Sequence, residues 1–232
     1  MMHINKFYKS TVLLLTCSIV FLLGCNKSNP DTPNDTKTLI MAHAMHLEHP
    51  VSKAMAFMDE RVEEISDGKL KIEMYPNQQL GSERELLELV QIGTVAMTKI
   101  SGAALGKIVP EVTIFSLPYL FRSEAHLHAV QKSEIGAEIL EKGAAYGLKG
   151  LTYYDAGFRS FYTVDNPIRT PSDLQGMKIR VQESQMAIQT MQALGASPTP
   201  LSYGELYTAL QSGVVDGAEN NPPSFHTARH YE

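Results

Sequence analysis

Cysteine is scarce in this chain of 232 residues, occurring only at Cys17 and Cys25. An exported form that loses its leader would keep Cys25 alone, so the fold must stand without disulfides. Basic blocks interleaved with aromatics are missing, and the formal charge is −5. Both features argue against nucleic acid as a partner. No nucleophile-elbow pattern, no H-E-x-x-H and no convincing acid/base pair stands out, so the residues do not favour an enzyme. The apolar run at 11–23 is short of the roughly 20 residues that span a bilayer comfortably.

That run has a different reading. Lys6 and Lys9 precede it, and it ends in Leu22-Leu23-Gly24-Cys25. A positive start, an apolar middle and a small residue before cysteine resemble a bacterial lipobox. Residues 1–25 are therefore expected to be a lipoprotein signal peptide, with Cys25 as the lipidated first residue after cleavage. A plain secretory signal or a short uncleaved anchor is the alternative. Residues 26–38, polar and interrupted by proline, read as a flexible tether.

Charged residues make up 19% and hydrophobic ones 44% of the chain, an ordinary globular balance. The pattern predicts a strand over 38–44, a helix opened by His49-Pro50, and a second strand around Leu70, Ile72 and Met74. Ser82 with Glu85 three residues on makes a capping box for the next helix, and a third strand is predicted over 94–100. This βαβαβ order predicts a mostly parallel α/β layer. A loop-rich stretch follows, then a helix over 123–143 and strands over 148–155 and 158–164. A strand at MKIRVQES (177–184), a helix over 184–194, a second capping box at Ser202 and Glu205, and a short buried segment at Val214-Val215 complete the pattern. The pattern restarts near Asp155. The expected division is an α/β lobe over 39–155 and a second, partial α/β lobe over 156–232, with a ligand cleft between them.

Arg180 is the first candidate for chemistry. It stands near the carboxyl end of an apolar strand, where ligands of α/β sheets bind. Its planar fork fits a carboxylate. An internal salt bridge to Asp173, Glu183 or Glu205 is the plainer reading of the same residue. Arg159, in AGFRSFYTV, could be a second ligand cation or a surface arginine stacked on Phe161 or Tyr162. Asn220, in DGAENNP, can donate and accept without charge.

In combination these pieces carry a resemblance. GFRSFYTVDNPIRTPSDLQGMKIRVQES and GASPTPLSYGELYTALQSGVVDGAENNP are similar to the second domain of TRAP-transporter solute-binding proteins of the DctP type. KIEMYPNQQLGSERELLELVQIG and FSLPYLF are similar to the first domain of that family. The resemblance spans roughly 38–232. It implies a two-lobed periplasmic-binding-protein-like fold closing on an organic acid, with Arg180 clamping the carboxylate, Arg159 assisting, Asn220 polar and Tyr203 as a pocket wall. It places a first-domain contact near Ser101, where some sialic-acid binders carry an acid; that departure argues against sialic acid.

The resemblance also implies TRAP permease subunits as partners and a binding role, not an enzyme; the lipobox adds a lipid anchor in a bacterial membrane outside the cytoplasm, and no cofactor is expected. Members continue well beyond position 232, so this chain is expected to be a C-terminally truncated form that folds or binds less well than a longer one.

For the ligand, His43, His46, Glu48 and His49 are expected at the end of the first strand, facing the cleft, where they could bond sugar hydroxyls. YDAGFRSFY and IRVQES resemble the uronate-binding branch, pointing to a hexuronate such as glucuronate or galacturonate. A C4-dicarboxylate, an exported uronate lyase or isomerase, and a ligand-sensing module are the alternatives. The histidines at 43, 46 and 49 and at 226 and 230 lack the context of a zinc site, and His126 and His128 read as helix-surface residues.

Overall fold

The computed structural model describes residues 36–232. The leader, Cys25 and residues 26–35 of the expected tether lie outside the described residues. Strand β1 (Lys37–His43) is the centre of a parallel sheet of order β2-β1-β3, with β2 at Leu70–Tyr75 and β3 at Met97–Lys99. Helix α1 (Pro50–Ile65) starts where expected: Pro50 takes the first turn and the His49 ring caps it, accepting from the Val51 amide. Val51 and Met55 bury against Met41 and Ile72. Helix α2 (Glu83–Gln91) carries the complete Ser82–Glu85 capping box, and Leu86 packs on Ala42 and Val95. Burying such a side chain stabilises the fold by about 1.5–3 kcal/mol.

β3 is shorter than the 94–100 expected. The amides of Thr94 and Val95 turn back to the Leu89 carbonyl, so the ladder begins only at Met97. Helix α3 (Gly102–Leu105) follows, then a 3₁₀ segment at Pro110–Ser116. The single helix expected over 123–143 is two, α4 (Glu124–Gln131) and α5 (Glu134–Lys142). Ser133 breaks the run by capping α5 through its hydroxyl, which accepts from the Ile135 amide. Residues 148–155 join no ladder among the described residues. They pack against the first lobe: Tyr153 donates to the Gly136 carbonyl, and Tyr154 packs with Ala156 on the first core.

The second lobe holds β4 (Ser160–Thr163), β5 (Lys178–Val181), β6 (Ser197–Pro200) and β7 (Gly217–Asn220), in the order β4-β7-β5-β6. β4 runs antiparallel to β7 and the other pairs are parallel. Ile179 and Val181 pack with Leu174 and Met191 under α6 (Gln185–Ala193). Leu206 and Ala209 of α7 (Leu206–Gln211) pack with Val215 and Ala218. α8 (Pro222–Thr227) closes the described chain. β6 was not expected, because Pro198 and Pro200 punctuate it; it forms as an edge strand, where a missing amide donor is tolerated. Of the segment expected to be buried at Val214-Val215, Val215 is buried and Val214 is exposed, and the central strand β7 starts just after it, at Gly217. A Cβ at Gly217 would lie 2.4 Å from the Tyr162 carbonyl oxygen, so β4 and β7 meet there only because the residue is glycine.

The sequence therefore folds into two α/β lobes, each with strand ends directed at shared ground. In the first lobe the parallel register brings His43 beside Lys99. In the second it sets Arg180 beside Ala218 of β7, whose last residue, Asn220, pairs with Ser160.

Candidate functional site

Alternation along β5 decides where Arg180 goes. Its neighbours Ile179 and Val181 enter the core under α6, so Arg180 takes the opposite face, and it is 2% exposed. Its Nε and Nη2 both donate to the Leu201 carbonyl oxygen, at 3.0 and 2.8 Å. Among the described residues no carboxylate forms an ion pair with it. The internal bridges to Asp173, Glu183 or Glu205 are not made: Asp173 caps its own turn at Thr170, and Glu205 bonds Ser202. Burial depresses the proton affinity of the Arg180 guanidinium. Glu219 opposes that shift and Arg159 adds to it. A desolvated cation held by one neutral carbonyl is an incomplete arrangement that an incoming carboxylate would complete.

Arg159 stands just before β4, beside the end of β7. It forks onto Glu219, with Nε on one carboxylate oxygen and Nη2 3.0 Å from the other; Nη2 also donates to the Glu219 carbonyl at 2.8 Å. Its Nη1 donates to Asn220 Oδ1 at 3.1 Å. Burial works against this charge, but the Glu219 carboxylate outweighs it, and the guanidinium holds its proton more tightly than usual. Arg159 is thus neutralised by an ion pair, whereas among the described residues Arg180 has none.

From the first lobe, His43 ends β1 and is fully buried. Its Nδ1 accepts from the Met45 amide at 3.2 Å, so its proton belongs on Nε2, which has no partner. Burial, then Lys99 and His49, lower its pKa to about 4, so the ring is a neutral donor at neutral pH. His46 is half-buried and meets Tyr203 edge-on at 6.3 Å. Glu48 sits apart from this group: it is exposed and pairs with Lys53 at 2.9 Å. Ser101 caps α3, and both its hydroxyl and its amide donate to Glu83. Lys99 lies 3.5 Å from the same carboxylate, both side chains being largely buried. The charge of Glu83 is felt at both arginines.

Sequence reasoning did not single out Glu83, Lys99 or Glu219, and it weighed His230 only as half of a metal-ligand pair with His226. A readable signal existed for Lys99, an ionisable residue at the end of a strand, and for Glu83, the residue after a capping serine. The spacing of His226 and His230 pointed elsewhere for His230, which the fold carries to Tyr162. Tyr162 OH and His230 Nδ1 are 2.7 Å apart, and His230 Nε2 is buried without a partner. Burial, then Arg180 and His46, lower its pKa to about 4. Tyr203 donates to the Ser224 carbonyl at 3.0 Å, and its ring meets His230 edge-on at 5.9 Å.

A cavity of about 370 Å³ opens between His46 and Gln78 on one side and Tyr203, Gly204, Tyr207 and His230 on the other. Arg180 is not in its wall, but its charge reaches both Tyr203 and His230. Away from this group, Glu124, His128 and Asp155 gather at the surface, with His128 Nε2 2.8 Å from Asp155. Among the described residues no helix is long and apolar enough to cross a membrane.

The arrangement offers a buried fork for an anion, uncharged donors around it, and acceptors at Glu83 and Glu219. Residues 41–232 match the family model for bacterial extracellular solute-binding proteins, family 7 (DctP). The C4-dicarboxylate-binding periplasmic protein DctP of Rhodobacter capsulatus is 38% identical over 189 residues, covering 81% of this chain and 56% of that protein. A TRAP periplasmic solute-binding protein from Xanthobacter autotrophicus Py2, solved with β-D-galacturonate, superposes with a TM-score of 0.81 at 42% identity, covering 83% of this chain and 64% of that one. Another from Pseudomonas putida F1, solved with D-glucuronate, has a TM-score of 0.81 at 38% identity, with 84% and 64% covered. The present chain thus spans a little over half the length of the curated relative.

Proposed function

The chain belongs to the bacterial extracellular solute-binding proteins of family 7, the DctP family, and on that premise we propose that it captures a carboxylate ligand between its lobes and delivers it to a TRAP-type membrane permease. The observation that carries this reading is Arg180: a guanidinium 2% exposed whose one acceptor among the described residues is the Leu201 carbonyl. A ligand carboxylate supplies the missing anion, and Asn220 and the Arg159–Glu219 pair orient it. Contacts from both lobes then favour the closed state by population shift. The protein acts as a receptor outside the cytoplasm, and Cys25 as its lipid-bearing residue.

The ligand is a hexuronate, glucuronate or galacturonate. Beyond its carboxylate such a sugar carries hydroxyls, which suit the neutral His43 donor and the Glu83 and Ser101 group. A dicarboxylate would bring its second charge towards Glu83 and Glu219. Relatives whose ligands are galacturonate and glucuronate support this choice; the Rhodobacter protein named for C4-dicarboxylates keeps the smaller diacid as the second reading.

Isothermal titration with D-glucuronate, D-galacturonate and succinate tests it. Uronate binding with succinate at least tenfold weaker is expected. Tighter succinate binding overturns the ligand assignment, and turnover of the sugar overturns the receptor reading.

A further inference from the structure

His49 joins the two lobes. Its Nδ1 accepts from the Val51 amide at 3.1 Å, which puts the proton of the neutral ring on Nε2. That Nε2 then donates to Ser224 Oγ at 3.1 Å, across 175 residues of sequence. His49 is fully buried and Ser224 is 2% exposed, so water does not substitute for either partner.

From Ser224 the bonding continues without a gap. Its amide donates to Asn221 Oδ1 at 2.8 Å. The Asn221 amide donates to Asn220 Oδ1 at 2.9 Å. That same oxygen accepts from Arg159 Nη1 at 3.1 Å. Tyr203 anchors the hub separately through the Ser224 carbonyl, at 3.0 Å.

We propose that His49 is a positioning residue for the anion site: through Ser224 and Asn221 it sets the orientation of Asn220 and Arg159, so that the placement of α1 against the second lobe is transmitted to the groups that receive the ligand. The Asn220 amide has one oxygen and one NH₂ face. With its oxygen engaged by Asn221 and Arg159, its NH₂ is left as a donor to an anion. When the His49–Ser224 bond is lost, the first turn of α8 is free to shift, and that preset orientation goes with it.

This inference rests on the carboxylate-receptor reading, and its test separates the two. His49→Asn keeps a capping side chain for α1 but is too short to reach Ser224. Ser224→Ala removes the other partner and leaves the cap untouched, so the proposal does not depend on the folding of one variant. Amide hydrogen exchange in the ligand-free protein reads the network, and titration with D-glucuronate reads its use.

Either single substitution is expected to speed exchange at Asn221 and Ser224 and to weaken glucuronate binding about tenfold. The double variant should be no worse than the weaker single one, because one bond is being removed twice. Unchanged exchange, or faster exchange with unchanged affinity, overturns the proposal, as does an additive double variant. If the unsubstituted protein binds none of the acids while exchange still responds, the network stands and the receptor reading falls.

Discussion

Arg180 directs two of its donors, Nε and Nη2, at one acceptor, the backbone carbonyl oxygen of Leu201. The carbonyl fixes the plane of the guanidinium without cancelling its charge. β5 supplies the cation, and the chain leaving β6 supplies the carbonyl, whose amide in turn bonds Val181. A pre-oriented, desolvated charge is costly to the empty protein and useful to a receptor.

Replacing Arg180 separates those two effects. Arg180→Met removes a buried charge that has no anionic partner, so the ligand-free protein should keep or raise its melting temperature. Uronate binding should fall by at least about thirtyfold, in line with the roughly 2–5 kcal/mol carried by a desolvated charge pair. Arg180→Lys retains the charge but not the fork and should bind almost as poorly. Thermal melts and titration calorimetry check both; a large loss of stability in Arg180→Met would mean that the cation has a structural partner.

Acid should unfold the protein through its histidines. His43 and His49 are fully buried with pKa values lowered to about 4, mainly by burial, from the 6.5 of a free ring. The unfolded chain therefore binds more protons between those values, and stability rises with pH across that window. The contribution is fully present above pH 6.5 and is lost as pH falls towards 4. It amounts to about 3 kcal/mol for each ring. Urea unfolding at pH 7.5 and 4.5 measures it, and in His43→Gln the difference should shrink.

Two glycines make contrasting close approaches. At Gly217 a Cβ would meet the Tyr162 backbone oxygen at 2.4 Å; at Gly204 it would meet Gln78 Oε1 at 1.9 Å. Backbone in a paired strand cannot withdraw, whereas the end of a glutamine can rotate. Gly217→Ala should therefore cost about 1–3 kcal/mol in denaturant unfolding, and Gly204→Ala markedly less despite its shorter distance.

Glu83 is expected to bear on ligand choice. It holds Ser101 and Lys99 and acts on both arginines from the first lobe. Glu83→Gln keeps the shape and removes the negative charge. It should narrow the gap between glucuronate and succinate about tenfold, mainly by improving succinate. Competition titrations with the two acids give the ratio; an unchanged ratio would assign the discrimination to other groups.

Much of the scaffold was legible because it rests on local chemistry. Pro50 after a capping residue, the Ser82–Glu85 box and the alternation of β5 each act within a few residues, and each element formed where its signal stood. The misreadings were of another kind. Pro198 and Pro200 concealed an edge strand that exists because β5 offers a partner. The long helix divided where Ser133 found an amide to cap. Glu48, grouped with the histidines by proximity in sequence, turned outward to Lys53.

Sequence alone determined the α/β order, the two-lobed architecture and the presence of a cation, Arg180, on a strand whose other face is apolar, because periodicity and capping are properties of neighbours along the chain. Only the tertiary structure decided that Glu219 would neutralise Arg159, that Arg180 would pair with no carboxylate among the described residues, and that His49 would meet Ser224. Those outcomes depend on which distant carboxylates, carbonyls and rings the packing of two sheets brings within hydrogen-bonding distance.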